Sequence, residues 1–79
     1  MSKGSSKRQY IDKPLMLLVG AKIRETRRAK NKSIHDLAAD CDVDYSQIAR
    51  MERGEVNFSV SNLSRVAKAL EVDIKDLFP

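Results

Sequence analysis

Four polar side chains, Tyr45, Ser46, Arg50 and Arg53, fall on the outward side of a short helical repeat whose inward side carries Ile48 and Met51. Hydroxyls and planar guanidinium forks at that spacing suit hydrogen bonding to the base edges and phosphates of DNA. They do not form a catalytic set. The sequence offers no nucleophile beside a base, no glycine-rich phosphate loop and no metal-ligand spacing, so neither an enzyme nor a cofactor is expected. The one histidine, His35, reads as a solvated helix residue, and the one cysteine, Cys41, excludes an internal disulfide.

The polar face sits in the stretch from Ser33 to Gly54, SIHDLAADCDVDYSQIARMERG, which reads as helix, tight turn, helix. Ser33 and Asp36 make a shortened capping box, and Leu37, Ala38 and Cys41 then share a buried face. Asp42 suits a left-handed turn, Asp44 offers a carboxylate to cap the next helix from Tyr45, and Gly54 supplies a left-handed stop. Val43 joins Ile48 and Met51 inside, whereas Ala49 is expected outside with the polar set. Two short helices at a steep angle form a helix-turn-helix unit, whose second helix can enter a DNA major groove.

From Val19 to Phe78 the chain resembles the bacterial and phage helix-turn-helix family that includes the Cro and phage repressor proteins, often called XRE-like. The matching residues are Ile23 to Arg27, Leu37-Ala38, Ile48 to Gly54, Leu63, Val66 to Leu70, and Val72 to Leu77. The resemblance implies an all-α, compact five-helix bundle of the lambda-repressor-like type. It implies a small cytoplasmic transcriptional regulator that binds double-stranded DNA as a homodimer on a palindromic operator, third helix in the major groove. By the same resemblance, base reading falls on Tyr45, Ser46 and Arg50, with Gln47 and Ala49 as further candidates. Arg27 and Glu52 are expected to pair structurally, close to the DNA backbone. Phosphate contacts fall on Ser33, Arg53, Asn57 and Arg27, with the backbone N–H groups that open the second helix. The dimer contact is expected from Ile74, Leu77 and Phe78 and from the loop before the fourth helix. The sequence departs from the family pattern at Ile34, often Gln, at Lys32, usually apolar, and at Glu71, commonly Gly. Together with the negative charge of Asp42 and Asp44, Ile34 motivates an alternative: a protein-interaction module, antitoxin-like or an accessory regulator, built on the same fold.

Seventy-nine residues make one small domain. The net charge of +4 is uneven, because residues 1–14 carry four basic side chains against one acidic and the remainder is nearly balanced. Lys22 to Lys32 holds six basic residues and one acid, and Asp36, Asp40, Asp42 and Asp44 follow at once, so a polyanion would meet particular faces. Residues 1–13 read as a basic, largely disordered segment, either a passive tail or an arm that follows the DNA backbone or enters a minor groove. The domain is expected over residues 14–79, with no further domain after Pro79. Pro14 suits a helix start, and Leu15, Leu18, Val19, Ile23 and Thr26 trace its inward stripe. Asn31 can end that helix in the left-handed region. Beyond the Val56 and Phe58 loop, Ser59 caps a helix with Val60, Leu63, Val66, Ala67 and Leu70 inside, and Asp73 caps a last short one. No stretch is long enough to span a membrane, so no membrane partner is expected.

Overall fold

The computed structural model describes residues 10–79, so the expectations for residues 1–9 of the arm lie outside the described residues. Four α-helices follow in order: α1 (Lys13–Ala29), α2 (Ile34–Cys41), α3 (Tyr45–Glu52) and α4 (Val60–Leu70). A 3-10 helix over Ile74–Leu77 closes the chain in place of the expected fifth α-helix. Four residues between Asp73 and Phe78 leave no room for an i→i+4 ladder. The segment closes instead with i→i+3 bonds, Asp76 N–H to Asp73 O at 2.9 Å and Phe78 N–H to Lys75 O at 3.2 Å.

Local chemistry explains where the helices begin and end. Asp12 Oδ1 accepts from the Leu15 N–H at 3.1 Å and Pro14 lies in the first turn, so α1 starts one residue ahead of Pro14 and the folded unit takes in Asp12 and Lys13. Ser59 accepts from the Asn62 N–H at 3.0 Å and opens α4. Asn31, Asp42 and Glu71 all adopt positive φ, at 58°, 58° and 61°, and end α1, α2 and α4 respectively. At Glu71 a charged side chain takes the left-handed conformation for which glycine is better suited.

The core gathers one face from each element. Val19 and Ile23 of α1 meet Leu37, Ala38 and Cys41 of α2, Ile48 and Met51 of α3, and Leu63, Val66, Ala67 and Leu70 of α4, with Leu77 closing the base. Assignments of burial change in three helices. In α1 the buried line runs through Met16, Val19, Gly20, Ile23 and Arg27, while Leu15 and Leu18 are 38% and 52% exposed and Thr26 only half-buried. Val60, in the first turn of α4, is 74% exposed. Ala49 is 8% exposed, because α3 packs against both α1 and α2 and so buries a wider arc than one stripe.

Gly20 accounts for the rotation of α1. A Cβ at this position would collide with the carbonyl oxygens of Met51 and Glu52, standing 2.7 Å from the latter, so only glycine lets α1 lie directly on the end of α3. Gly20→Ala is therefore expected to lower the unfolding free energy by about 1–3 kcal/mol. That is opposite in sign to the gain of ~1 kcal/mol that alanine brings to an open helix. Urea titration followed by circular dichroism reads the difference, and an unchanged midpoint would show that the two helices separate freely.

Candidate nucleic-acid interface

The unit formed by α2, its turn and α3 is set by a side-chain capping box at the start of α2 and by main-chain bonds at the start of α3. Ser33 Oγ accepts from the Asp36 N–H at 2.9 Å, and Asp36 Oδ2 accepts from the Ser33 N–H at 3.0 Å, so aspartate closes a full capping box. These bonds, first the backbone one from Ser33, hold the Asp36 carboxyl below its usual range. After Cys41 the left-handed Asp42 turns the chain, and the Val43 N–H returns to Ala38 O at 3.0 Å. Asp44 occupies the cap position of α3 in an extended conformation, but its side chain makes no capping hydrogen bond. The expected carboxylate cap is replaced by main-chain bonds alone, with Gln47 N–H on Asp44 O at 3.0 Å. Gly54, at φ 69°, ends α3 as expected.

On the outer side of α3, Tyr45, Ser46 and Arg50 are exposed and Gln47 is half-buried. Among the described residues, the Arg50 side chain has no hydrogen-bond or ion-pair partner, so its guanidinium fork is open to a ligand. Tyr45 is 45% exposed and its ring rests on His35, with ring centroids 4.4 Å apart and planes inclined at 37°. Sequence reasoning missed this contact. The two residues sit on different helices across the turn, where periodicity within either helix carries no signal.

The four phosphate candidates diverge. Ser33 is exposed and its hydroxyl accepts the Asp36 N–H, leaving its own O–H to donate. Arg53 forks onto Glu55 with bonds of 2.9 and 3.0 Å, and this pairing pulls the Glu55 carboxyl below its usual range. Asn57 Nδ2 donates to Tyr10 O at 3.2 Å, tying the loop to the chain ahead of α1. Arg27 is 7% exposed and lies inside. Its Nε and Nη2 donate to the two oxygens of Glu52 at 2.6 and 3.0 Å, and its Nη1 donates to Lys32 O at 2.9 Å. Arg24, with its side chain 46% exposed, reaches the same carboxylate at 3.5 Å, so two guanidinium groups share one buried acid. Lys32, at a position the family usually fills with an apolar residue, is half-buried and pairs with Asp40.

Away from this face, the candidate dimer residues also separate. Leu77 is fully buried within the chain and Ile74 half-buried, so of the three only Phe78, 38% exposed, keeps a sizeable apolar surface. Phe78 helps line an apolar groove of about 280 Å³ between the start of α1 and the start of α4, together with Leu15, Met16, Phe58 and Leu63. Tyr10 and Val60, also in its walls, stand largely in solvent at 81% and 74% exposure. Burial pushes the Cys41 thiol up, which keeps it a neutral packing group.

An all-helical core that presents α3 outward, braced from behind by α1 and joined to α2 through a left-handed turn, defines a DNA-binding protein of the helix-turn-helix class. The helix-turn-helix family model matches residues 23–77. The control protein C.BamHI of Bacillus amyloliquefaciens is 42% identical over 64 residues, spanning 80% of this chain and 79% of that protein. Among solved structures, the restriction-modification controller protein C.AhdI from Aeromonas hydrophila is 35% identical with a TM-score of 0.78, over 80% of this chain and 96% of that one. The biofilm regulator SinR, solved in complex with DNA, is 30% identical with a TM-score of 0.70, over 75% of this chain and 95% of that one. The chain belongs to the XRE-type helix-turn-helix family of transcriptional regulators.

Removing Arg27 would leave the buried Glu52 carboxylate with only the half-exposed Arg24 guanidinium, at 3.5 Å, in place of a bidentate partner. Arg27→Ala is therefore expected to destabilise the fold by about 3–5 kcal/mol, and the double replacement Arg27→Met with Glu52→Leu by much less. Chemical denaturation of both variants checks this; equal losses would show that the single variant suffers from lost packing and not from a stranded carboxylate.

Proposed function

We propose that this protein binds double-stranded DNA in a sequence-specific manner as a homodimer, with α3 in the major groove, and so regulates transcription. The observation that carries the reading is Arg50. It is exposed and unpaired among the described residues, and it sits on the outer face of a helix whose opposite face is locked into the core. A guanidinium fork held in this way matches the O6 and N7 acceptors of guanine, a pairing worth about 1–3 kcal/mol of discrimination. Ser46, Tyr45 and Gln47 extend the reading to neighbouring bases. The likeness to a control protein and to a restriction-modification controller supports a regulator of this kind.

Phosphate contacts would come from the exposed Arg24 and Arg28, from the Ser33 hydroxyl and N-terminal turn of α2, and from Arg53 once it exchanges Glu55 for a phosphate. Arg27 would act indirectly, by fixing α1 against the end of α3. Two copies meeting through the apolar face of Leu15, Val60 and Phe78 would need to hold their α3 helices about 34–36 Å apart to enter successive major grooves of an inverted-repeat operator.

In vitro selection from a random duplex library is expected to enrich an inverted repeat. Arg50→Ala should lose preference at one defined base pair per half-site, by about 1–3 kcal/mol. Arg28→Ala should weaken all sequences alike and reduce the salt slope by about 1. Absence of any enriched sequence with folded protein would overturn the regulator reading.

The assembly has its own check. Val60→Glu is expected to shift sedimentation towards the monomer and to weaken binding to the inverted repeat while leaving a single half-site unaffected. An unchanged sedimentation profile would move the dimer contact elsewhere.

A further inference from the structure

The contact between His35 and Tyr45 lies outside the core. Both side chains are exposed, yet their rings meet at 4.4 Å. His35 is the second residue of α2 and Tyr45 the first of α3, so the pair joins the two helices of the motif at the ends that open towards a duplex. Their restraints differ. The turn carrying His35 is closed by the reciprocal Ser33 and Asp36 bonds, which fix its backbone. The turn carrying Tyr45 lacks a side-chain cap, because Asp44 makes none. Among the described residues, the Tyr45 hydroxyl has no hydrogen-bond partner either.

A tyrosine at the first position of a helix, free at its tip, samples several rotamers unless a neighbour excludes them. The imidazole is the one ring placed to do so. From this arrangement we infer that His35 is a specificity-determining positioning residue: it holds Tyr45 in the orientation in which its ring and hydroxyl meet a single base pair. The inference rests on the DNA-binding reading above. It adds that Tyr45 is aimed before the duplex arrives, so that less ordering is left for the moment of binding. A tilted aromatic pair of this kind shifts a rotamer equilibrium by between about 2- and 12-fold.

The test compares duplex binding by the full chain for wild type, His35→Ala, His35→Phe, Tyr45→Ala and the double Ala variant, using the selected operator and single-base variants of its half-site. Thermal unfolding confirms that each protein is folded. His35→Ala is expected to reduce discrimination at the same base pair that Tyr45→Ala affects, by between about 2- and 12-fold. His35→Phe should restore that discrimination, and His35→Ala should add nothing in the Tyr45→Ala background. A uniform loss of affinity for every sequence, with a smaller salt slope, would make His35 a phosphate contact and overturn the proposal. So would full discrimination in His35→Ala, additive effects in the double variant, or a Tyr45→Ala protein that keeps wild-type base preference. Failure of the wild type itself to prefer any sequence would be seen without a substitution, and would overturn the DNA-binding reading together with this one.

Discussion

Everything on the outer face of α3 depends on how its far end is anchored, and that anchor is the buried pair of Arg27 and Glu52. The planar guanidinium meets both carboxylate oxygens and a main-chain carbonyl, so each buried charge is bonded, and no buried side-chain N or O atom among the described residues lacks a partner. Such a pair adds little net stability over a well-packed apolar substitute. Its effect is on register: sliding α1 along α3 would break the bidentate contact of Arg27 with Glu52, and Gly20 permits the close approach only where its missing side chain faces the carbonyls of Met51 and Glu52. Charge and sterics thus select the same placement, and α3 is presented at one angle to a groove.

The elements of local chemistry were legible in the sequence. Ser33 with Asp36, the left-handed Asn31 and Asp42, the stop at Gly54 and the inward Leu37, Ile48 and Met51 all follow from side-chain types and short spacings. The phase of the buried faces was not. Periodicity identifies α1 as amphipathic, but Leu15 and Leu18 offered a stronger apolar stripe than the one buried, which includes a glycine and an arginine. The deciding facts, a carbonyl pressed on Gly20 and a carboxylate awaiting Arg27, belong to a helix some thirty residues away in the chain. Val60 and Ala49 exchanged sides for the same reason: a helix buries what its neighbours cover.

Candidate site residues divided along the same line. Outward polar residues near the start of α3 could be read from the helical repeat, since one buried face fixes the opposite one. The phosphate set could not. Arg53, Asn57 and Arg27 each carry donors of the right type, but Glu55, the Tyr10 carbonyl and Glu52 occupy those donors within the protomer. Whether a surface donor is free is a tertiary fact. Conversely, His35 looked like an unengaged side chain and is the ring on which Tyr45 rests.

These internal partners give the surface a physical character of its own. A duplex that recruits Arg53 must replace a bidentate carboxylate already in place, so part of the Coulomb gain is spent on exchange; the pairing of Lys32 with Asp40 similarly mutes the basic run that ends α1. Acidic Asp42 and Asp44 at the turn oppose close approach of phosphates further. In the proposed binding mode these pairings would hold down non-specific attraction, while the Arg50 fork and the Tyr45 hydroxyl have no partner among the described residues. Because phosphate contacts carry no sequence information and base edges do, trimming the first without touching the second raises the ratio of specific to non-specific binding at the cost of absolute affinity. A surface balanced in that way would gain most from the proposed second copy, since doubling the base contacts would square the discrimination of a single half-site.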